Sequence, residues 1–387
     1  MAIEEFTINV SDAVLADLKR RLDATRWPDE VENVGWELGS SLSYMKSLAD
    51  YWRHGYEWRQ QEAALNKLSQ YRIALDGFHV HFVHVRSKNP KPLPLLITHG
   101  WPGSFVEMVK LIPLLTDPAA NGGRAEDAFD VIVPSLPGYG FSDRPTERGM
   151  NPFKVAALWA RLMTELGYER FAAQGGDWGS TVSTALGLDH AQRIIGIHLN
   201  YIAGRFLFGG TLNQTPNQTP DDEAAKTYLE QLRAWADLEG GYSHLQGTKP
   251  QTLGYALNDS PIGLAAWIIE KFRAWSDCAG ELERIFTKDE LLTNVMIYWV
   301  TETLNSSTRL YYETREQPLQ LSATNRVKPP VAMAIFPKEI PIPPRALAER
   351  GFNIQRWTLM PKGGHFAAME QPELLAQDIR EFFRPLR

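Results

Sequence analysis

The segment AAQGGDWGSTV, residues 172–182, carries the most chemistry in this sequence. An apolar run leads into Gly175-Gly176-Asp177-Trp178-Gly179, and a helix-forming run follows at once. That is the context of a nucleophile elbow, in which flanking glycines permit a sharp strand-to-helix turn. The pattern is G-x-S-x-G with aspartate in the nucleophile position and tryptophan after it. Aspartate changes the chemistry. A carboxylate needs no general base to attack at neutral pH, and it forms an ester by opening an alkyl or epoxide carbon. Attack on an amide or ester would give an anhydride instead, which argues against ordinary esterase activity. Taken alone, Asp177 would read as a helix cap; glycines on both sides, after an apolar strand, favour the nucleophile.

An elbow of this kind needs two donors for an oxyanion. One is the backbone N–H of the residue after the nucleophile, Trp178. The other comes from a loop after an earlier strand, and THGWPGSF (98–105) supplies it with the Trp101 N–H. His99 in that loop reads as a structural hydrogen-bonding group rather than a base. Cleaving the ester requires activated water, hence a base near the C-terminus. GGHFAAMEQPE (363–373) presents His365 on a glycine-rich loop between strand and helix, fixed by its scaffold. The imidazole needs a carboxylate to orient it. Glu339, in AIFPKEIP, falls just past the penultimate strand and fills that role. Asp177, Glu339 and His365 then follow the chain order nucleophile, acid, histidine.

Holding these residues together requires a sizeable fold, and the chain has 387 residues for it. That suits one large core with an added unit. An apolar fraction of 44% excludes disorder, and 40 basic against 46 acidic residues excludes a basic nucleic-acid footprint. The one cysteine, Cys278, cannot form an internal disulfide and reads as a small buried apolar group. The N-terminus lacks a signal-peptide pattern, and no run of about 18 apolar residues occurs. The expectation is a soluble cytoplasmic protein with no membrane anchor.

Residues 1–68 read as a helical and irregular extension, with Ser11 capping a helix that carries Val14, Leu15, Leu18 and Leu22 on one face. Its tryptophans read as packing groups that wrap it onto the core. Candidate strands follow at 71–77, 79–86, 94–100, 129–138, 170–176 and 194–202. The first two join through an antiparallel Asp76-Gly77 turn. Helical runs FVEMVKLIPLL, NPFKVAALWARLMTELG and STVSTALGL lie between the later strands. Polar GGTLNQTPNQTPDD, with Asn213 and Asn217 in N-x-T pattern, reads as a surface loop. Only helices are expected to about residue 320, and strands return at 331–336 and 353–361. The fold class is α/β: a mostly parallel sheet with helices on both faces. The core is 69–203 and 321–387, with an α-helical lid, 204–320, inserted after the sixth candidate strand.

The chain resembles the α/β-hydrolase epoxide hydrolases of the microsomal type, which carry a long N-terminal extension. The resemblance rests on HGWPGS, GGDWGS, GYSHLQGTKPQTLGYALNDSPIGLAAWIIEKF and GGHFAAMEQPELLAQDIR, and it covers nearly the whole chain. It implies two-step hydrolysis of an epoxide to a vicinal diol with no metal or organic cofactor. Asp177 would open the oxirane, and water activated by His365 with Glu339 would hydrolyse the ester. FPKEI matches the family's acid position, carried here by glutamate. The departing alkoxide is a strong base and needs an acidic O–H. The family uses a lid tyrosine pair, which by motif match is Tyr242 and Tyr311, with Tyr312 adjacent as the alternative. The resemblance thus implies a lipophilic epoxide and water as partners. A homodimer, the identity of the epoxide, and a detoxifying or biosynthetic setting are left open.

Rival readings remain. A haloalkane dehalogenase also uses an aspartate elbow followed by tryptophan, but halide release wants N–H donors rather than phenols. A non-catalytic ligand-binding homologue could dispense with Asp177, Glu339 and His365, yet all three positions hold competent residues. HVHFVHV does not read as a metal site, because His79 and His81 share one strand face while His84 takes the other. LPGYGFSDRP (136–145) reads as a cleft-bordering loop. Trp235, Leu264, Trp267, Ile268 and Phe272 suit either a lipophilic pocket or lid packing.

Overall fold

The computed structural model describes residues 2–207 and 222–387. Within them one sheet contains β1 (Ile3–Glu5), β2 (Gln70–Leu75), β3 (Phe78–Val85), β4 (Leu93–Thr98), β5 (Phe129–Pro134), β6 (Phe171–Gly175), β7 (Ile194–Leu199), β8 (Val327–Ile335) and β9 (Phe352–Leu359). The strand order is β1-β2-β3-β5-β4-β6-β7-β8-β9. Pairing is antiparallel from β1 through β3 to β5, and parallel from β5 across to β9. The β2–β3 turn places Asp76 and Gly77 at φ 52° and 79°, the doubly left-handed geometry that matches strand twist. β5 and nearly all of β4 are buried along their length, as strands covered on both faces must be.

The N-terminal region holds α1 (Asp12–Asp23), α2 (Leu42–His54) and α3 (Trp58–Leu65), and the sheet is flanked by α4 (Leu111–Thr116), α5 (Pro152–Glu165) and α6 (Asp177–Asp189). Between β7 and β8 come α7 (Glu223–Glu239), α8 (Gly241–Gln246), α9 (Pro250–Leu257), α10 (Pro261–Trp275), α11 (Lys288–Thr301) and α12 (Leu304–Glu316). The chain closes with α13 (Arg345–Ala348), α14 (Ala367–Glu370) and α15 (Pro372–Phe383). Local chemistry explains the starts. The Ser11 side chain accepts from the Val14 N–H, and Asn151 accepts from the N–H groups of Phe153 and Lys154 with Pro152 in the first turn.

One contiguous apolar core joins all three regions, running from Leu18, Trp52 and Trp58 through the sheet to Leu264, Ile268 and Phe272. The N-terminal helices also rest on the helices that follow β7. Tyr51 donates to Asp289 at 2.8 Å, Tyr56 and Thr293 share a 3.1 Å bond, and Ser40 donates to the Ala266 carbonyl at 2.8 Å.

The structure departs from the sequence expectations at three places. β1 lies inside the region read as helical and irregular; three exposed residues on a sheet edge carry no alternation to betray them. With β1 counted, the helical insertion follows the seventh strand. The FVEMVKLIPLL helix is broken into a 3-10 turn, Phe105–Met108, and α4, because Pro113 is tolerated only in a first turn. β8 begins at Val327, where Pro329-Pro330 coincide with a register shift against β9. The NQTP repeat with Asn213 and Asn217 lies outside the described residues.

Candidate active site

β6 ends at Gly175 and α6 begins at Asp177, so the turn is made in a single step. The left-handed backbone falls on Asp177 itself, at φ 45°, and not on its glycine neighbours. Such a conformation costs a non-glycine residue about 1–3 kcal/mol and persists only where its surroundings enforce it. The glycines serve close approach instead. A Cβ on Gly179 would lie 1.8 Å from the Thr98 carbonyl oxygen, and one on Gly100 would lie 2.3 Å from Asp177 Oδ1. The Trp101 N–H donates to that same Oδ1 at 2.8 Å. Trp178 occupies the first turn of α6, where backbone N–H groups have no acceptor within the helix.

His365 lies between two carboxylates. Its Nδ1 is 2.5 Å from Glu339 Oε1, and its Nε2 is 3.5 Å from Asp177 Oδ2. Glu339 Oε1 also accepts from the Ile340 N–H at 2.7 Å, while Oε2 is buried without a partner. Burial of the imidazole works against its charge. Glu339 and Asp177 together outweigh that and hold the His365 pKa well above the usual 6.5. The free site therefore carries an imidazolium between two acids.

The histidine loop is stitched to the segment after α10. The His365 N–H donates to the Trp275 carbonyl at 2.9 Å, and the Gly363 N–H donates to Asp277 Oδ2 at 2.9 Å. Glu370 gathers the N–H groups of Asp277, Gly364 and Phe366 at 2.8, 3.0 and 2.9 Å. Burial still pushes the Glu370 carboxyl up to about 7, because three donors only partly replace water.

Tyr242 on α8 and Tyr311 on α12 face the elbow as an aromatic group. Tyr242 stacks on Trp101 with centroids 5.1 Å apart, and Tyr311 meets Trp178 edge-on at 4.7 Å. The two phenol rings are 5.8 Å apart. Burial drives the Tyr311 phenol well above its ordinary 10.0, with Tyr242 and Asp177 adding to the effect. Tyr312 points elsewhere and carries the Arg148 guanidinium over its ring at 4.6 Å. Geometry thus brings Tyr311, not Tyr312, to Tyr242 and the elbow.

Other sequence candidates fall into supporting roles. His99 is buried, its Nε2 accepting from the Leu136 N–H at 3.1 Å, and burial lowers its pKa to about 4. His81 bonds Ser135 and Gln70, His84 bonds Tyr168, and His79 bonds Asp143, so the three histidines of β3 belong to separate networks. In LPGYGFSDRP, Tyr139 is buried against His99 and donates to the Ser307 carbonyl at 3.1 Å. Leu264, Ile268 and Phe272 are buried packing groups, Phe272 stacking on Phe366 at 3.9 Å. The Trp267 indole donates to Gln246 and Trp235 packs beside Trp275. Cys278 is buried. Among the described residues no helix is long and apolar enough to cross a membrane.

Comparison with known proteins bears on what this arrangement serves. Residues 3–108 match the family model described as epoxide hydrolase N terminus, and residues 94–372 match that of the alpha/beta hydrolase fold. A relative from Stigmatella aurantiaca (strain DW4/3-1) is 47% identical over 100% of this chain and 86% of its own length. Epoxide hydrolase 1 of Oryctolagus cuniculus is 39% identical over 98% of this chain and 88% of its own. The chain belongs to the epoxide hydrolases. Its structure is also similar to the crystal structure of juvenile hormone epoxide hydrolase from the silkworm Bombyx mori, with a TM-score of 0.85 and 31% identity over 100% of this chain and 94% of that one.

This epoxide hydrolase surrounds its elbow with groups that sequence reasoning passed over. Glu107 is a buried acid in an otherwise apolar turn, raised to about 8 by burial, opposed by His365 and reinforced by Asp177. A lone Glu among Phe105, Val106 and Met108 was the available signal. Gln174, three residues before Asp177, and Glu370, in the histidine motif, had no signal beyond that nearness.

Proposed function

We propose that this epoxide hydrolase opens a lipophilic epoxide to a vicinal diol in two steps, through a hydroxyalkyl ester on Asp177. The observation that carries the reading is the imidazole of His365 lying between Glu339 and an aspartate whose other oxygen is held by the Trp101 N–H. Oδ1 is tied down, so Oδ2 is the oxygen that attacks the oxirane carbon. The breaking C–O bond leaves an alkoxide, and the Tyr242–Tyr311 pair supplies the proton. Esterification removes the charge of Asp177, one of the two charges that hold the proton on His365. That proton then replaces the one given by the phenols. His365 is left neutral and becomes the base for the second step, while Glu339 orients it.

In the second step water gives a proton to His365 and adds to the ester carbon. Oδ1 becomes the oxyanion, held by the N–H groups of Trp101 and Trp178. Loss of the diol restores the carboxylate and the imidazolium. One turnover in water labelled with heavy oxygen tests the ester. The label should appear in Asp177 by peptide mass spectrometry, and label found only in the diol would refute it.

One observation favours a second reaction on the same nucleophile. The indole Nε1 atoms of Trp101 and Trp178 are buried without hydrogen-bond partners, and such donors suit a halide. Chloride release from a chlorinated alkane tests that dehalogenase reading.

A further inference from the structure

We infer that Glu107 and Gln174 hold the hydrolytic water beside His365, in a small cavity behind Asp177. This inference rests on the two-step reading and adds to it the residues that position the second reactant. The cavity measures about 20 Å³ and is lined by Gly100, Glu107, Gln174, Asp177, Asn200 and His365, among others. One water needs roughly 10–15 Å³ of such space and about three polar partners. Gln174 supplies one. Its Nε2 donates to Asn200 Oδ1 at 2.9 Å, which fixes the amide, while its Oε1 is buried with no partner. A buried acceptor left unpaired is costly, and a water at this cavity relieves it.

Glu107 supplies the second partner. Its carboxyl is wedged against Gly103, where a Cβ would come within 1.7 Å of Oε1, and the backbone N–H groups of Gly100 and Ser104 lie against it. With a pKa raised to about 8, chiefly by burial, the group keeps its proton at neutral pH. It is therefore an O–H donor as well as an acceptor, and adds no third negative charge beside Asp177 and Glu339. His365 is the third partner.

The water then gives one hydrogen bond to His365 and one to Gln174, and accepts one from Glu107. Its remaining lone pair is left for the ester carbon. As the new C–O bond forms, the shared proton passes to His365. The bond from the ester carbon to the alkyl oxygen breaks, and the diol oxygen leaves with the proton of the new hydroxyl. Asp177 is left as a carboxylate bearing one water-derived oxygen, and Glu107 ends with the proton it began with.

Single-turnover kinetics on the full chain with styrene oxide separate the two steps, following the adduct on Asp177 by intact-mass spectrometry. Glu107→Met should leave ester formation within about threefold and slow ester decay about 10–100-fold, the cost of a misplaced reactant. Glu107→Gln keeps a donor and an acceptor, so it should recover most of the lost decay rate. Gln174→Met should slow decay by a smaller factor, and it decides the matter alone if Glu107→Met does not fold. Decay at the parental rate, or an equal loss in both steps, overturns the water cradle. The two readings fail separately. An ester that accumulates in His365→Gln but shows no split in these variants overturns the cradle alone. Absence of any ester in His365→Gln overturns the two-step reading and the cradle with it.

Discussion

The two halves of this site are held in place by different forces. On the sheet side, Asp177, Trp101, Glu339 and His365 are fixed by directed hydrogen bonds at loop ends, at 2.5 Å for Glu339–His365 and 2.8 Å for Trp101–Asp177. On the opposite side, Tyr242, Tyr311 and Trp275 meet one another and Trp101 largely through ring faces and edges, with centroid distances of 5.1 to 5.8 Å, and the Trp275 indole also donates to Glu239 at 3.3 Å. Hydrogen bonds specify an atom, whereas ring contacts specify a face. On the proposed mechanism, the sheet side places charge and protons, and the aromatic side places the phenols over the elbow.

This contrast makes its sharpest claim at the nucleophile. Asp177→Ala should lower turnover by on the order of 10⁴-fold or more, as nucleophile removal does elsewhere. Diol formation measured by chromatography checks it, and substantial activity would remove Asp177 from the mechanism. His365→Gln should cut steady-state turnover by about 10³-fold while ester builds up on Asp177. Intact-mass spectrometry that finds no adduct during substrate exposure would break the two-step reading. On the aromatic side, Tyr242→Phe or Tyr311→Phe should slow ester formation about 10-fold each, and the double variant about 10³-fold, because one phenol partly covers for the other. A double variant no slower than either single one would dissolve the distinction between the halves.

The smallest effect concerns stability. Glu107 has a folded pKa of about 8 against an ordinary 4.5. The folded state holds that proton more tightly, so its contribution is full below about 4.5 and is lost as pH rises through about 8. The groups that face the carboxyl are Asp177, which strengthens the trend, and His365, which weakens it. Glu107→Gln should therefore gain in unfolding free energy, read from urea melts, relative to the parent between pH 5 and pH 8, by about 1 kcal/mol or more. A constant difference across that range would show that Glu107 is not buried as an acid.

What the sequence made legible follows the same divide. Asp177, Trp101, Glu339 and His365 could be read because each sits at a strand end, with glycine or proline marking the turn. Their order along the chain also carries meaning. The phenols could not be told from other lid tyrosines by pattern, and even the choice between Tyr311 and Tyr312 needed α12 to show which face meets Trp178. Strands β4 and β5 announced themselves as short buried apolar runs, whereas β1 had no such pattern, and Pro113 outweighed the apolar period of the run around it. Glu107 and Gln174 matter through what lies beside them across the fold. Local spacing shows only an acid in an apolar turn at Glu107, and nothing at Gln174.

The crossing of Gly179 over Thr98, and of Gly100 over Asp177, leaves no space for a side chain at either glycine. The constraint at Gly179 falls on the main chain, at the Thr98 carbonyl, whereas the constraint at Gly100 falls on the Asp177 side chain itself. Such a corner is keyed to the group it displays: a side chain at position 100 would push the carboxylate out of line with the Trp101 N–H.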